Sequence, residues 1–309
     1  MGWKKINLNK YVAEVKKSMQ LDVSDEIIAK DLLLTLILAE FQKEKGIFNQ
    51  LIFKGGTLLS RNYLKYHRFS EDLDFVHKDS NILRKLTRNQ RERKIKKFID
   101  LFVPELKKVA DVLDLDFSTD RTNTKYCSIL SGRAVYIFRV YYDINRYIKI
   151  EINFVEQVYF KPKKVSVKVI TDFFDSKELM FILGLKIDNF RVLSYPIEEI
   201  ILEKYRALLT RPALKERDLF DLFLISASLN IKANEVVDKI KSSSLIKKDL
   251  KRLVGEGLKS LKTDEFFKSE EIISDLAIIE YDLDSFENFK NQIRPLLIKV
   301  CELFLQEKS

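Results

Sequence analysis

Apolar residues recur at helical spacing through the first part of the chain. Between residues 8 and 45, Leu32, Leu33, Leu36, Ile37 and Phe41 fall on one helical face, and Ser24-Asp25-Glu26 supplies a cap ahead of Ile27-Ile28. The pattern then shortens to the apolar run Leu51-Ile52-Phe53, breaks at Gly55-Gly56, and returns to helical spacing in Thr57 to Leu64. This predicts a strand, a tight turn and a helix. A second short strand, Asp72-Leu73-Asp74-Phe75, follows. Residues 80 to 113 read as helix, first strongly charged, then amphipathic through Phe98, Leu101, Phe102, Leu106 and Val109. Alternation dominates next: Ala134 to Asp143, Tyr147 to Glu156 and Lys164 to Ile170 are predicted strands, the first two forming a hairpin across Asp143-Ile144-Asn145-Arg146.

From Pro196 onward the pattern is helical. Ile197 to Leu209 is one predicted helix and the stretch around Glu216 to Leu222 another; Asn230 to Ser309 reads as helix throughout, with Gly255 and Gly257 as breakers and separate amphipathic segments at Phe286 to Ile293 and Pro295 to Leu305. The expected architecture is α+β, a mixed sheet with flanking helices in residues 1–195 followed by a helical domain in 196–309. There is no internal repeat and no low-complexity linker.

Composition narrows the class. The chain has 309 residues, 46% hydrophobic and 33% charged, enough for a sizeable soluble core. Its apolar runs fall short of the ~20 residues that span a bilayer, and Met1 to Asn7 has no signal-peptide segment, so a cytoplasmic protein without membrane contact is expected. Cys127 and Cys301 stand alone, and His67 and His77 have no zinc-ligand spacing, which leaves carboxylates as metal ligands. The net charge of +9 suits a polyanionic partner, nucleic acid or a nucleoside triphosphate, unless it is only a lysine-rich solvated surface. Basic residues are densest at Arg84 to Lys97 and Lys241 to Lys262, either of which could hold a phosphate backbone.

The chemistry sits where the glycine turn meets the carboxylates. A strand-to-helix turn through Gly55-Gly56 aims backbone N–H groups at whatever lies above it, which suits phosphate. On the following strand Asp72 and Asp74 emerge on one face while Leu73 and Phe75 enter the core, a spacing suited to a hard divalent cation. Glu151 is a mid-strand carboxylate. It completes a three-carboxylate set if its strand lies beside that of Asp72 and Asp74; otherwise it pairs with a lysine on an exposed face. In the second half, Lys204 lies within the apolar arc of Ile197, Ile200, Ile201 and Leu208, where it either snorkels or reaches a bound triphosphate. Asp218 and Asp221 lie beside Leu222 and Ile225 and need a partner, Lys204 or a substrate proton. If Lys204 serves a ligand, its loss weakens nucleotide binding without lowering thermal stability.

Four motifs in order, Phe53-Lys54-Gly55-Gly56-Thr57, Arg68 to Asp74, Glu199 to Leu208 and Arg217 to Leu222, resemble the AbiEii-type nucleotidyltransferases, toxins of abortive-infection and toxin–antitoxin systems within the DNA polymerase β-like superfamily. The resemblance implies that Gly55, Gly56 and Thr57, with Lys54 at the head of the motif, hold the nucleotide; that Asp72 and Asp74 hold Mg²⁺; and that Lys204 and Asp218 belong to later active-site motifs. Glu151 fits the third carboxylate by strand position. This motif has Gly-Gly-Thr where other branches carry Gly-Ser. The implied reaction transfers a nucleoside monophosphate from an NTP to an acceptor, a tRNA 3′ end in preference to a protein side chain, under control of a cognate antitoxin. The rival readings are modification of a protein target, small-molecule modification, and a non-catalytic nucleic-acid-binding regulator.

Overall fold

Strand register joins the two halves of the glycine and aspartate pattern. In the computed structural model, which describes residues 7–43, 46–175, 190–225, 231–243, 247–263, 265–268, 273 and 277–306, contacts divide the chain into two compact units, Met1–Tyr195 and Pro196–Ser309. The first is built on a seven-stranded mixed sheet in the order β3-β4-β5-β2-β1-β7-β6. Its strands are β1 (Leu51–Lys54), β2 (Asp72–His77), β3 (Cys127–Leu130), β4 (Val135–Tyr141), β5 (Tyr147–Asn153), β6 (Lys163–Ser166) and β7 (Arg191–Ser194). β1 and β2 are antiparallel, β2 and β5 are parallel, and β4–β5 is the expected hairpin.

Alternation sets the two faces of the sheet. Phe75 on β2 and Phe138 on β4 look toward helices α2 (Asp25–Lys43), on which α1 (Leu8–Met19) packs, and α5 (Arg88–Val112); there Phe41 stacks on Phe48 at 3.9 Å and Phe102 lies 5.2 Å from Phe138. The short α3 (Gly55–Leu58) runs into a π-helical turn, Leu59–Tyr63; α4 (Ser80–Leu83) follows β2. Arg61 in the π-turn is buried and donates to Asp31 Oδ1 of α2 at 2.7 Å and to Thr35 Oγ1 at 2.9 Å, which fixes the segment after the glycines to the helical layer. Leu101, expected in the core stripe of α5, is instead 55% exposed, and the third predicted strand ends at Ser166 rather than Ile170.

The second unit is helical: α6 (Ile197–Thr210), α7 (Glu216–Ile225), α8 (Ala233–Lys241), α9 (Lys247–Leu261) and α10 (Leu283–Gln306). Gly255 and Gly257 do not break α9, and Pro295 lies inside α10, so the two amphipathic segments around it form one helix. The roughly 1 kcal/mol propensity penalty of a helical glycine does not end a helix whose apolar face is buried, as Leu250, Leu253, Val254 and Leu261 of α9 are. Lys239 and Glu199, both fully buried, pair at 2.7 Å between α8 and α6. The helical expectation at Asn230, 244–246, 264, 269–272, 274–276 and 307–309 lies outside the described residues. Among the described residues no helix is long and apolar enough to cross a membrane.

Candidate active site

Lys54 ends β1 in extended backbone, and Gly55 then turns the chain at φ +81°, where only glycine is unstrained. A Cβ on Gly55 would stand 2.3 Å from Asp74 Oδ2, and one on Gly56 would stand 2.8 Å from Arg68 Nη2. The two glycines are therefore needed for close approach as well as for turning. They let a carboxylate and a guanidinium lie directly against the backbone.

β2 and β5 bring the carboxylates together. Asp74 is the register partner of Glu151 and Asp72 of Lys149, so all four side chains share one face, half-buried. Lys149 Nζ lies 3.0 Å from Asp72 Oδ2 and 3.8 Å from Glu151 Oε2. The lysine and the neighbouring strand position thus both prove relevant to Glu151. Burial and the adjacent Asp74 charge raise the carboxyl pKa values of Asp72 and Glu151. Burial depresses the ammonium of Lys149, but Asp74, Asp72 and Glu151 outweigh it and hold the lysine above its ordinary value. Asp72, Asp74 and Glu151 outnumber Lys149, and Lys54 on the same face is shared with Glu156, so the surplus of negative charge favours a further cation. Among the described residues no three acidic, histidine or cysteine side chains form a ready-made metal cage.

Lys54, Thr57 and Lys204, all expected at the nucleotide, have partners within the fold. Lys54 lies on the carboxylate face, but its ammonium is buried and donates to Glu156 Oε2 at 2.7 Å; Asn153 Nδ2 donates to the same oxygen at 3.3 Å. The Thr57 side chain is buried, donating to the Asp72 carbonyl at 2.5 Å and lying 2.9 Å from Ser70 Oγ, so its hydroxyl ties the turn to the start of β2. Its position in the first helical turn points it back into the fold.

In the helical unit, Lys204 is buried with Nζ 2.6 Å from both Asp218 Oδ1 and Asp221 Oδ2, and Arg211 pairs with Asp218 Oδ2. Lys204, rather than a substrate proton, is thus the partner of the two aspartates. Burial raises the Asp218 pKa, but Lys204 and Arg211 outweigh it and the net value is lowered. Removal of Lys204 would leave two buried carboxylates short of a counterion, so a loss of stability is the expected outcome in place of the unchanged stability that a ligand role implies.

Sequence reasoning missed three contributors. Arg61–Asp31 was detectable as an aspartate inside an apolar helical stretch, and Lys54–Glu156 only through sheet geometry. Arg68 reads as an ordinary basic residue until Gly56 exposes backbone to it.

The family profile described as nucleotidyl transferase AbiEii toxin, type IV TA system, matches residues 37–298. No curated protein matches the chain. Among solved structures, MenT4, nucleotidyltransferase toxin Rv2826c from Mycobacterium tuberculosis H37Rv, is similar at 14% identity and a TM-score of 0.47, over 95% of this chain and 98% of that one. With the profile spanning most of its length, the chain belongs to the nucleotidyl transferase AbiEii toxin family of type IV toxin–antitoxin systems.

Proposed function

We propose that this toxin transfers a nucleoside monophosphate from an NTP to a hydroxyl of an RNA acceptor, with the 3′ end of tRNA as the favoured substrate, in the cytoplasm and under control of a cognate antitoxin. The observation that carries the reading is the joining of Asp72, Asp74 and Glu151 on one sheet face, with Asp74 directly against the Gly55 backbone. The donor set, carboxylates alone, fits Mg²⁺. Asp72, Asp74 and Glu151 would hold the ion, which when bound offsets triphosphate charge and polarises the α-phosphate. The Gly55-Gly56 turn, with Asp74 directly against it, would bring phosphate oxygens beside the ion. The acceptor oxygen forms a bond to the α-phosphorus, the bond from that phosphorus to the bridging oxygen breaks, and pyrophosphate leaves with that oxygen. The acceptor's proton passes to solvent as its oxygen bonds to phosphorus.

Lys54 and Thr57 serve this reading as supports, one balancing carboxylate charge and the other fixing the turn. Lys204 and Asp218 serve by holding α6 to α7. The test incubates purified protein with each labelled NTP, Mg²⁺ and either total tRNA or protein extract. Label retained on RNA by the wild type and lost in Asp74→Asn is the expected result. Label on protein overturns the acceptor, and label retained by Asp74→Asn overturns the site.

A further inference from the structure

The carboxylate face does not stop at the carboxylates. Across β2, β5 and β4 the register lays down successive rungs: Asp74, Glu151 and Ile137; then Asp72, Lys149 and Arg139; then Tyr147 and Tyr141. Alternate residues share a face, so these side chains all point to one side, opposite Phe75 and Phe138. Tyr147 lies four residues before Glu151 on β5, about 13 Å along the strand. The rungs leading away from the site are half-buried or exposed, with Tyr147 at 36%.

Their chemistry is aromatic and cationic. The Tyr141 and Tyr147 rings lie 5.2 Å apart, and Tyr126 meets Tyr141 edge-on at 5.7 Å. The Arg139 guanidinium lies 5.7 Å from the Tyr147 ring centre, and Lys125 Nζ lies 4.6 Å and 4.5 Å from those of Tyr126 and Tyr141. Arg139 also donates to Ser128 Oγ at 2.9 Å, which fixes its position across the sheet, while Asp116 holds Lys125 at 3.0 Å. Among the described residues, these tyrosines and cations lie on a half-exposed part of the sheet face, away from the apolar core on its other side. Rings that can stack on unpaired bases, next to guanidinium and ammonium groups that can meet phosphates, are what single-stranded RNA requires.

We propose that this strip, from Lys149 and Arg139 to Tyr147, Tyr141 and Tyr126, is the track along which the unpaired end of the RNA acceptor lies, leading its terminal hydroxyl to the carboxylates. The proposal rests on the nucleotidyl-transfer reading and adds the acceptor's route to it. Base pairing hides the faces that the tyrosines would stack on, so the track selects single strands over duplex.

The test measures binding and transfer separately on the full-length protein. A fluorescent single-stranded RNA 12-mer and the same sequence as a duplex are titrated by anisotropy against wild type, Tyr147→Ala, Tyr141→Ala, Arg139→Gln and Tyr147→Phe. Loss of one stacked base at about 1–3 kcal/mol converts to roughly 5- to 150-fold weaker single-strand binding for each alanine variant. Tyr147→Phe keeps the ring and stays within about twofold of the wild type, which a merely structural hydroxyl would not allow. Equal binding by wild type and alanine variants, or duplex bound as tightly as single strand, overturns the track. If RNA is still labelled from NTP in that case, and Asp74→Asn abolishes the labelling, the transferase reading stands without the track. If label goes to protein instead, both the RNA acceptor and its track fall.

Discussion

Replacing the Gly55 hydrogen by a methyl group would put a carbon 2.3 Å from Asp74 Oδ2 at a backbone φ of +81°. The carboxylate must then move, and displacement of about 1 Å at a reacting centre costs on the order of 100-fold in rate. Gly55→Ala is expected to lower nucleotidyl transfer by about that factor and stability by roughly 1–2 kcal/mol, checked by labelled-NTP transfer and urea unfolding. His77, at the other end of β2, gives a pH test. Burial lowers its pKa to about 4, with Asp79 opposing and Lys78 assisting; Lys94 and Lys97 of α5 line the same pocket. The unfolded chain binds the proton near pH 6.5 and the folded chain only near 4, so this contribution is complete above pH 6.5 and is lost as pH falls toward 4. Roughly 2–3 kcal/mol should disappear across that window, and His77→Phe should flatten that part of the stability profile.

Between elements, the buried ion pairs decide more than any single helix propensity. Lys204 joins α6 to α7 through Asp218 and Asp221 at 2.6 Å each. Lys204→Met should destabilise by roughly 3–5 kcal/mol in urea unfolding, because two carboxylates lose their shared counterion inside the fold. Adding Asp218→Asn and Asp221→Asn should recover part of the loss, and no recovery would show that lost packing, not charge, carries the effect. The lowered pKa of Asp218 adds a direction. Its contribution is present above the ordinary aspartate range near 3.9 and is lost as pH falls below it, outside the His77 window.

Over the whole molecule, the net charge of +9 is only partly available to a partner. On α5, Arg88 pairs with Glu92 at 2.8 Å; on α9, Arg252 pairs with Glu256 at 3.0 Å. Each such pair reduces what the basic stretches at Arg84 to Lys97 and Lys241 to Lys262 offer to phosphate. Transfer to RNA should still fall with salt, with a log–log slope of about −0.7 per single-strand phosphate contacted. Charge reversal at Lys248, Lys251 and Arg252 should lower that slope only if α9 meets the acceptor, whereas Arg139→Gln should lower it by about 0.7 through the sheet-face track. Titrating salt in the transfer assay for both variants separates the two surfaces.

Local signals settled much in advance. Alternation and glycine spacing are properties of consecutive residues, and they were enough to specify the strand, turn and strand around Gly55-Gly56, the shared face of Asp72 and Asp74, the β4–β5 hairpin, and helix from Pro196 through α6 and α7. Pairing between distant strands is decided by where chains meet in space. Folding is what lays β5 parallel beside β2, which turns Glu151 from an open alternative into the neighbour of Asp74 and brings Lys149 to Asp72. It also turned Lys54 and Thr57 inward and gave Lys204 to Asp218 and Asp221, because a buried ammonium or hydroxyl must find its partner wherever the fold supplies one.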